Sequence, residues 1–404
     1  MLDKVIGTKL DAWAKRIRTE MNVPARLTLW SGGSYDLGTF HEPRVQLRIN
    51  DVGAVGAFLN PSLDVLGEAY VKQSIDIDGK ITDIIDVAYK LASLPSEDAG
   101  IAAKVLTRFS HTRKEDKESI QYHYDVSNEF YRLWLDEQLV YSCGYFENGD
   151  ESLDEAQVKK IDHILSKIRL QPGQTLLDIG CGWGALVIRA AQRFQARCVG
   201  ITLSEKQYEF ARQRVKDANL SDFVEIRLQD YRDVTGSFDR ITSVGMFEHV
   251  GLSNLEGYFS TMRALLADDG VAMNHGITST DPDDGDSPLG GGSFIDQYVF
   301  PAGELPHLSF ALVEMQAGGL EALDVENLRR HYVKTLENWT ERFEANTEFI
   351  RKLVGETRYR IWRVYLAGCA QAFARDNVSI YQIVCHKSRR PADTIPWSRS
   401  YIYR

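Results

Sequence analysis

The chain has 404 residues, 44% of them hydrophobic and 10% aromatic, so it is long enough for two or three domains and apolar enough to bury a core. Its net charge of −10 argues against a nucleic-acid-binding protein and against general adsorption to anionic membranes. The five cysteines are scattered without a CxxC pair, which predicts neither a disulfide framework nor a metal site. No apolar run approaches the ~20 residues that span a bilayer, and no signal peptide is recognisable, so we expect a cytoplasmic protein.

The first hundred residues predict a small α+β domain, residues 1–103. Apolar residues recur at helical spacing in its first segment, at Leu2, Ile6, Leu10, Trp13 and Ile17. This helix either docks on its own domain, which general packing favours, or lies on a membrane surface. Residues 45–50 and 74–79 predict strands, and residues 81–92 predict a helix.

A charged segment, 104–118, predicts an exposed linker, and the catalytic domain is expected to occupy 119–404. Beyond the linker, strands and helices alternate, which predicts a Rossmann-like α/β fold with a parallel sheet and helices on both faces. The predicted strands are 175–180, 197–202, 224–229, 238–247, 270–277 and 378–387. The predicted helices are 185–194, 204–218, 255–267 and a region around 358–373.

The segment LLDIGCGWGAL is typical of a strand, a tight turn and a helix. Three glycines let the backbone bend and a ligand approach, namely Gly180, Gly182 and Gly184. Gly180, Gly182 and Ala185 also fit the GxGxxA form of a dinucleotide fingerprint, but Thr202 and Ser204 stand where that motif wants an acid. Asp178, at the strand's end, is placed to pair with an ammonium group, which S-adenosylmethionine carries. Asp230, after the third strand, is a candidate acceptor for an adenine amine.

The run SVGMFEHVG ends a predicted strand and at once presents Glu248 and His249. Open α/β sheets bind their ligands at the carboxyl ends of strands, so Glu248 is a candidate functional group. His249 need not face the same way, and its role stays open between structure and function.

These motifs resemble cyclopropane-fatty-acyl-phospholipid synthase, a family that includes the mycolic acid cyclopropane synthases. The other matching motifs, in the same order, are YSCGYF, GITLSEKQ, LQDYRD, the histidine of MNHGI, and FIDQYVFPAGELP. The resemblance covers about residues 119–386. It implies a class I S-adenosylmethionine-dependent methyltransferase with a seven-stranded, mostly parallel sheet. The first hundred residues resemble, more loosely, the lipid-binding-like amino-terminal domain of longer bacterial members.

The resemblance implies the residues that contact S-adenosylmethionine, which are Tyr141, Ser142, Gly180, Cys181, Gly182, Thr202, Leu203, Ser204, Gln207, Tyr231 and Arg232. It also implies a bound bicarbonate ion and no metal. The matching bicarbonate ligands are Cys143, Glu248, His275, the backbone of Ile277, and Tyr332. Cys369 matches a position proposed as an active-site cysteine, but the chemistry requires no thiolate, so its role stays open.

The family transfers the methyl group of S-adenosylmethionine to a cis double bond in a lipid acyl chain. The attack leaves a carbocation, and ring closure requires a base within hydrogen-bond reach of the new methyl group. Bicarbonate, polarised by an ionised Glu248, is expected to be that base. Aromatic faces stabilise a cation, and the candidates by location are Phe247, Tyr298, Phe300 and Trp339.

Two further segments bear on access to the substrate. The polar, glycine-rich run 278–294 predicts a lid, because the EF-hand pattern fails at Asp286 and Gly292. The basic and aromatic tail, 386–404, predicts either a solvated segment or a contact with anionic lipid. We expect peripheral association with the inner face of the membrane, an unsaturated phospholipid as partner and no nucleic acid. A homodimer is left open.

Three rival functions remain on the sequence alone. A lipid C-methyltransferase would use the same cation but end in a methyl or methylene branch. A small-molecule amine N-methyltransferase would need no carbocation. A catalytically silent binding protein would have no use for a base, which the set of Cys143, Glu248, His275 and Tyr332 argues against.

Overall fold

The fold was analysed in a computed structural model that describes residues 2–94, 127–282, 291–300 and 303–403, without the side chains of residues 2–7. The predicted linker, 104–118, and residues 283–290 of the predicted lid lie outside the described residues. The chain forms two compact units. The first comprises Met1–Arg108, Asp286–Pro301 and Thr347–Gln371, and the second comprises Phe109–Gly285, Ala302–Asn346 and Ala372–Arg404. The units are therefore not contiguous in sequence, whereas the predicted domains are.

The first unit is built on a four-stranded sheet with the order β2-β1-β3-β4. Strands β1 and β3 are parallel, and the other two pairs are antiparallel. The elements in chain order are α1 (Leu2–Glu20), β1 (Ala25–Thr28), β2 (Ser34–Asp36), β3 (Val45–Ile49), α2 (Val55–Leu59), α3 (Leu63–Val71), β4 (Ile75–Gly79) and α4 (Ile81–Ala92).

Helix α1 docks on the sheet of its own unit, as general packing favoured. Leu10 and Ile17 are fully buried and Trp13 is nearly so, and their partners include the inward-facing Val45, Leu47 and Ile49 of β3. Strand β3 alternates buried and exposed residues because only one face of this sheet is covered.

The second unit contains a seven-stranded sheet. Its elements, together with two later helices of the first unit, are α5 (Asn128–Arg132), α6 (Leu153–Lys167), β5 (Thr175–Ile179), α7 (Ala185–Phe194), β6 (Arg197–Thr202), α8 (Glu205–Asp217), β7 (Val224–Leu228), β8 (Phe238–Val244), α9 (Leu255–Leu265), β9 (Leu266–Ser279), α10 (Gly292–Tyr298), α11 (Leu308–Ala317), β10 (Leu320–Asn327), α12 (Arg329–Ala345), α13 (Thr347–Ala374) and β11 (Val378–Lys387).

The strand order is β10-β11-β9-β8-β5-β6-β7, and only β11 runs antiparallel to its neighbours. This confirms the predicted seven-stranded, mostly parallel sheet of a class I methyltransferase. The central strands are buried on both faces, and the apolar side chains of β5 pack against helices on each side. Strand order reverses between β5 and β8, so a crevice opens at their carboxyl ends.

Two segments from the second half of the chain belong to the first unit, namely α10 and most of α13. Within that unit the Arg360 guanidinium donates to the carbonyl oxygens of Tyr70 and Ile75 and pairs with Asp76 at 2.6 Å. Ala367 lies in the same apolar core as α1 and α4. Within the described ranges, no helix is both long and apolar enough to cross a bilayer.

Candidate active site

A cavity opens at the carboxyl ends of β5, β6 and β8, next to the glycine turn. The turn needs glycine because Gly180, Gly182 and Gly184 all have positive φ, at 79°, 53° and 84°. The N–H groups of Gly180 and Cys181 donate to the Ile201 carbonyl, which fixes the turn against β6. Ten of the predicted cofactor residues line the cavity, which are Tyr141, Ser142, Asp178, Gly180, Cys181, Gly182, Thr202, Leu203, Gln207 and Tyr231.

Asp178 is the acidic group of this cavity. It is 3% exposed and accepts a hydrogen bond from Thr242 Oγ1 at 2.7 Å. Burial raises the pKa of Asp178 to about 6, against the opposing effects of the Thr242 hydrogen bond and the Lys160 charge. A buried carboxylate with one hydrogen bond is suited to pair with the ammonium group of a ligand.

Four other predicted cofactor residues do not line this cavity. Ser204 caps α8 by accepting from the Gln207 N–H, and Gly184 is the residue from which α7 begins. Asp230 accepts from the Arg232 N–H and pairs with its guanidinium at 2.7 Å. The carboxylate that was expected to accept an adenine amine is therefore engaged by a neighbouring arginine.

Glu248 lies on a short 3₁₀ turn, Phe247–His249, directly after β8. Its Oε1 accepts from the Ile277 N–H at 2.7 Å, and burial raises the pKa of Glu248 to about 7 against that hydrogen bond. Within the described part of the chain, its buried Oε2 has no hydrogen-bond partner. The Ile277 N–H, expected to donate to an anion, donates to Glu248 instead because this carboxylate lies beside it.

His275 lies on β9, in register with Val244 of β8, a residue that lines the cavity. Gln382 Nε2 donates to His275 Nδ1 at 3.1 Å, so the proton of the neutral ring resides on Nε2. Burial lowers the pKa of His275 well below its ordinary value. His275 Nε2 is buried and has no partner among the residues that the structure describes. The site thus holds an unpaired donor and an unpaired acceptor.

Cys143 and Tyr332, from two other elements, share one backbone contact, the carbonyl of Leu328. The Cys143 thiol is fully buried, contacts the Leu328 carbonyl at 3.7 Å, and has its pKa raised by burial. Tyr332 is one turn further along α12, and its N–H donates to the same Leu328 carbonyl. Trp339 contacts both Tyr141, which lines the cavity, and Tyr332. Its ring centroid lies 5.3 Å from that of Tyr141 and 5.9 Å from that of Tyr332.

The remaining candidates are distributed over both units. His249 lines the cavity, and the Phe247 ring lies against the backbone of Gly276. Tyr298 packs on Phe294 within the first unit. Phe300 packs on Tyr365 in that unit, and Cys369 of α13 belongs to it as well, with a pKa that burial raises to about 12.

Sequence reasoning missed the part of the site that α6 supplies. Gln157 donates to the carbonyl oxygens of Val140 and Ser142, and Lys160 donates to Ser142 Oγ at 2.9 Å and lines the cavity. Two features of the sequence indicate this helix and its buried polar residues. Ser152 and Glu155 form a capping box that marks the start of α6. The buried face of the helix also carries polar residues every three or four positions, at Gln157, Lys160, His163 and Lys167.

The fold, the glycine turn and the acid at the end of β5 together define a class I S-adenosylmethionine-dependent methyltransferase. Residues 111–383 match the family model described as mycolic acid cyclopropane synthetase. Because that match spans most of the chain, the protein belongs to the mycolic acid cyclopropane synthetase family of methyltransferases. Residues 12–98 match a separate domain family of unknown function.

Known proteins that resemble the chain agree with this assignment. A probable fatty acid methyltransferase of Pseudomonas putida is 43% identical over 95% of this chain and 97% of its own length. A probable fatty acid methyltransferase of Mycobacterium tuberculosis is 36% identical over 84% of this chain and 77% of its own length. The crystal structure of mycolic acid cyclopropane synthase CmaA1 with SAH and CTAB is 37% identical, covers 67% of this chain and 98% of that one, and superposes with a TM-score of 0.64.

Proposed function

We propose that this enzyme adds a methylene group from S-adenosylmethionine to the cis double bond of unsaturated phospholipid acyl chains, closing a cyclopropane ring. The observation that carries the proposal is the buried, unpaired donor and acceptor formed by His275 Nε2 and Glu248 Oε2. An amine N-methyltransferase would take its proton from nitrogen and would need no carbocation. Ring closure from a carbocation requires a held base.

The cofactor would be held by Asp178, the glycine turn and the start of α8. Asp178 would accept from the cofactor's ammonium group, while Thr202 and Gln207 hydrogen-bond each other at 2.8 Å and shape the floor of the cavity. S-adenosylmethionine, when bound, supplies an electrophilic methyl group. Holding this group in line with a weakly nucleophilic alkene can supply roughly 7–11 kcal/mol of the barrier.

The aromatic rings near Tyr141 suit the cation that the alkene becomes. Tyr141, Trp339 and Tyr332 form a continuous run of rings, and Trp339 is fully buried. Ring faces stabilise positive charge without donating an electron pair that would end the reaction early. The apolar surroundings also exclude water, which would otherwise hydrate the cation.

Bicarbonate fits the unpaired atoms, because it offers acceptor oxygens to His275 Nε2–H and its own O–H to an ionised Glu248 Oε2. Cys143 and Tyr332 complete the proposed set of ligands, and Ile277 holds Glu248 in place through its N–H. When bound, this ion would supply a base in an otherwise apolar region.

A second candidate is a C-methyltransferase that leaves a methyl or methylene branch on the acyl chain. The name of the Pseudomonas putida relative, a probable fatty acid methyltransferase, favours it. Both reactions begin with the same methylated carbocation. A methyl-branched alkene forms when a neighbouring chain carbon loses the proton, and a methylene branch forms when a hydride shift precedes loss of a proton from the new methyl group. Discrimination therefore requires the structure of the product and not only its mass.

The experiment uses full-length protein, S-adenosylmethionine with a labelled methyl group, and vesicles of cis-unsaturated phospholipid. The acyl chains are released as methyl esters and studied by mass spectrometry and proton NMR. Cyclopropanation adds CH₂, removes the alkene signals and gives ring protons. A branched product has the same mass but keeps alkene signals, and methylation of the head group leaves the acyl chains unchanged. Saturated vesicles are the control, and an unchanged acyl fraction would refute the proposal.

Peripheral contact with the membrane is assigned in this proposal to the first unit. Trp30, 40% exposed, lies in the turn after β1, and the exposed Val52 follows β3. Since β1 and β3 are parallel neighbours, both residues follow the carboxyl ends of these strands and lie at the same end of the sheet. Exposed aromatic and aliphatic side chains at one end of a sheet are suited to insert into the interface of a bilayer.

A further inference from the structure

Lys160 is a buried lysine whose hydrogen bond does not require its charge. It is 2% exposed, it lines the cofactor cavity, and its ammonium donates to the neutral Ser142 hydroxyl at 2.9 Å. Among the described residues it forms no ion pair. By contrast, Lys167 on the same face of α6 is neutralised by Glu326, whose Oε2 lies 2.5 Å from its Nζ.

The charge of Lys160 is costly to maintain. Burial lowers the pKa of Lys160 to about 8, opposed chiefly by the charge of Asp136, so the side chain is still mainly protonated near neutral pH. An amide in this position would satisfy Ser142 without the cost of desolvating an ammonium group. The hydrogen bond alone therefore does not account for a lysine here.

The region around His275 lacks a positive charge of its own. His275 is neutral, Glu248 is either neutral or negative, and Cys143 is a neutral thiol because burial raises its pKa. An anion buried among these groups would have nothing to offset its charge, which makes binding strongly unfavourable. The charges of Lys160 and Lys167 both lower the pKa of His275, but Lys167 is paired with Glu326. Lys160 has no ion pair among the described residues, and its charge also lowers the pKa of Cys143.

We propose that Lys160 supplies the positive charge that allows a small oxyanion, bicarbonate, to bind beside the cofactor cavity. Lys160 is a positioning residue in this role, because it acts on the anion through the electrostatic field and through the loop of Ser142 and Cys143. The inference rests on the proposed function and identifies a residue that its ligand set lacks.

The test compares full-length wild type with Lys160→Gln, Lys160→Met and the control Lys159→Gln. Lys159 is the adjacent lysine of α6, half-buried and paired with Glu147 and Glu151. Glutamine keeps a donor for Ser142 and removes only the charge, while methionine removes both. Bicarbonate affinity is measured by thermal shift and by calorimetry at fixed pH and ionic strength, with chloride replacing bicarbonate. The affinity for S-adenosylhomocysteine is measured in parallel.

We expect both Lys160 variants to bind bicarbonate at least about 30-fold more weakly, which corresponds to about 2 kcal/mol for a broken buried charge pair. Their affinity for S-adenosylhomocysteine should fall by less than their affinity for bicarbonate, because Lys160 also helps to keep Asp178 ionised. Lys159→Gln should match wild type throughout. Unchanged bicarbonate affinity in Lys160→Gln would overturn the role of the charge, as would a loss confined to the methionine variant. A wild type that binds no bicarbonate would overturn both this inference and the bicarbonate part of the proposed function, whereas the product analysis tests cyclopropanation independently.

Discussion

Replacing Glu248 with glutamine measures the cost of holding this carboxyl group in a buried position. An amide oxygen accepts the Ile277 N–H as a carboxylate does, so the substitution changes chiefly the ability to ionise. Burial raises the pKa of Glu248 from an ordinary 4.5 to about 7, so the folded protein binds this proton more tightly than the unfolded chain. The resulting stabilisation is fully present below about pH 4.5 and is lost as the pH rises through about 7.

The size of this effect follows from the two pKa values. At about 1.36 kcal/mol per pKa unit, the whole loss is about 3 kcal/mol. About 2.5 kcal/mol of it falls between about pH 5 and about pH 8. Glutamine does not titrate, so the unfolding free energy of the wild type minus that of Glu248→Gln should fall by this amount. Comparing two pH values cancels any constant effect of the substitution on packing.

The assay is guanidinium denaturation of the ligand-free protein, and unfolding is monitored by hydrogen exchange of peptides from β8 and β9. This measurement reports the unit that holds Glu248 and does not assume that both units unfold together. Glu151→Gln is a control whose difference from wild type should stay nearly constant between about pH 5 and about pH 8, because the stabilisation from Glu151 is lost only as the pH falls from about 4.5 through about 2. Burial alone would raise the pKa of Glu151, but hydrogen bonds from Lys159 and from the Asn148 and Gly149 N–H groups lower it to about 2. A wild-type-minus-Glu248→Gln difference that stays the same at both pH values would show that Glu248 titrates normally and refute the reasoning.

Three further predictions follow from residues around the site and on the first unit. Asp178→Asn should weaken S-adenosylhomocysteine binding by roughly ten- to a hundredfold in calorimetry, since a charged hydrogen bond is lost, and an affinity within twofold of wild type would contradict its role. Gly276→Ala should destabilise the fold by about 1–3 kcal/mol in chemical denaturation, because a Cβ there would lie 2.1 Å from Phe247 Cε1, whereas the uncrowded Gly257→Ala should not. Trp30→Ser should weaken flotation with phospholipid vesicles about fivefold, as about 1 kcal/mol of apolar contact is lost, without changing S-adenosylhomocysteine affinity. Unchanged flotation would move the membrane contact elsewhere.

Much of the central fold could be predicted because local signals there agree with the tertiary structure. The predicted segments 185–194, 197–202 and 378–387 coincide with α7, β6 and β11. The glycine turn could be recognised because its three positive φ angles exclude most other residues. The predicted strand 238–247 extends too far, because an apolar run does not distinguish the end of β8 from the 3₁₀ turn that carries Glu248.

The contribution of α6 could not be predicted in the same way. Its polar residues on the buried face resemble an exposed stripe, and their partners are residues distant in sequence, such as Glu326 for Lys167. Similarly, β10 was not assigned, because its half-buried pattern is irregular and its register to β11 is interrupted by a bulge. The partners of α6 and β10 are distant in sequence, and local composition carries little information about such long-range contacts.

The interleaving of the two units limits how the protein can be dissected. Removal of residues 1–103 would take away Tyr70, Ile75 and Asp76 but leave Arg360 in the remaining fragment, with its hydrogen-bond acceptors gone and Ala367 stripped of its apolar neighbours. Such a fragment is a damaged protein and not an independent catalytic half. Domain swaps with relatives should therefore exchange all three segments of the first unit together, so that each chimera inherits complementary partners.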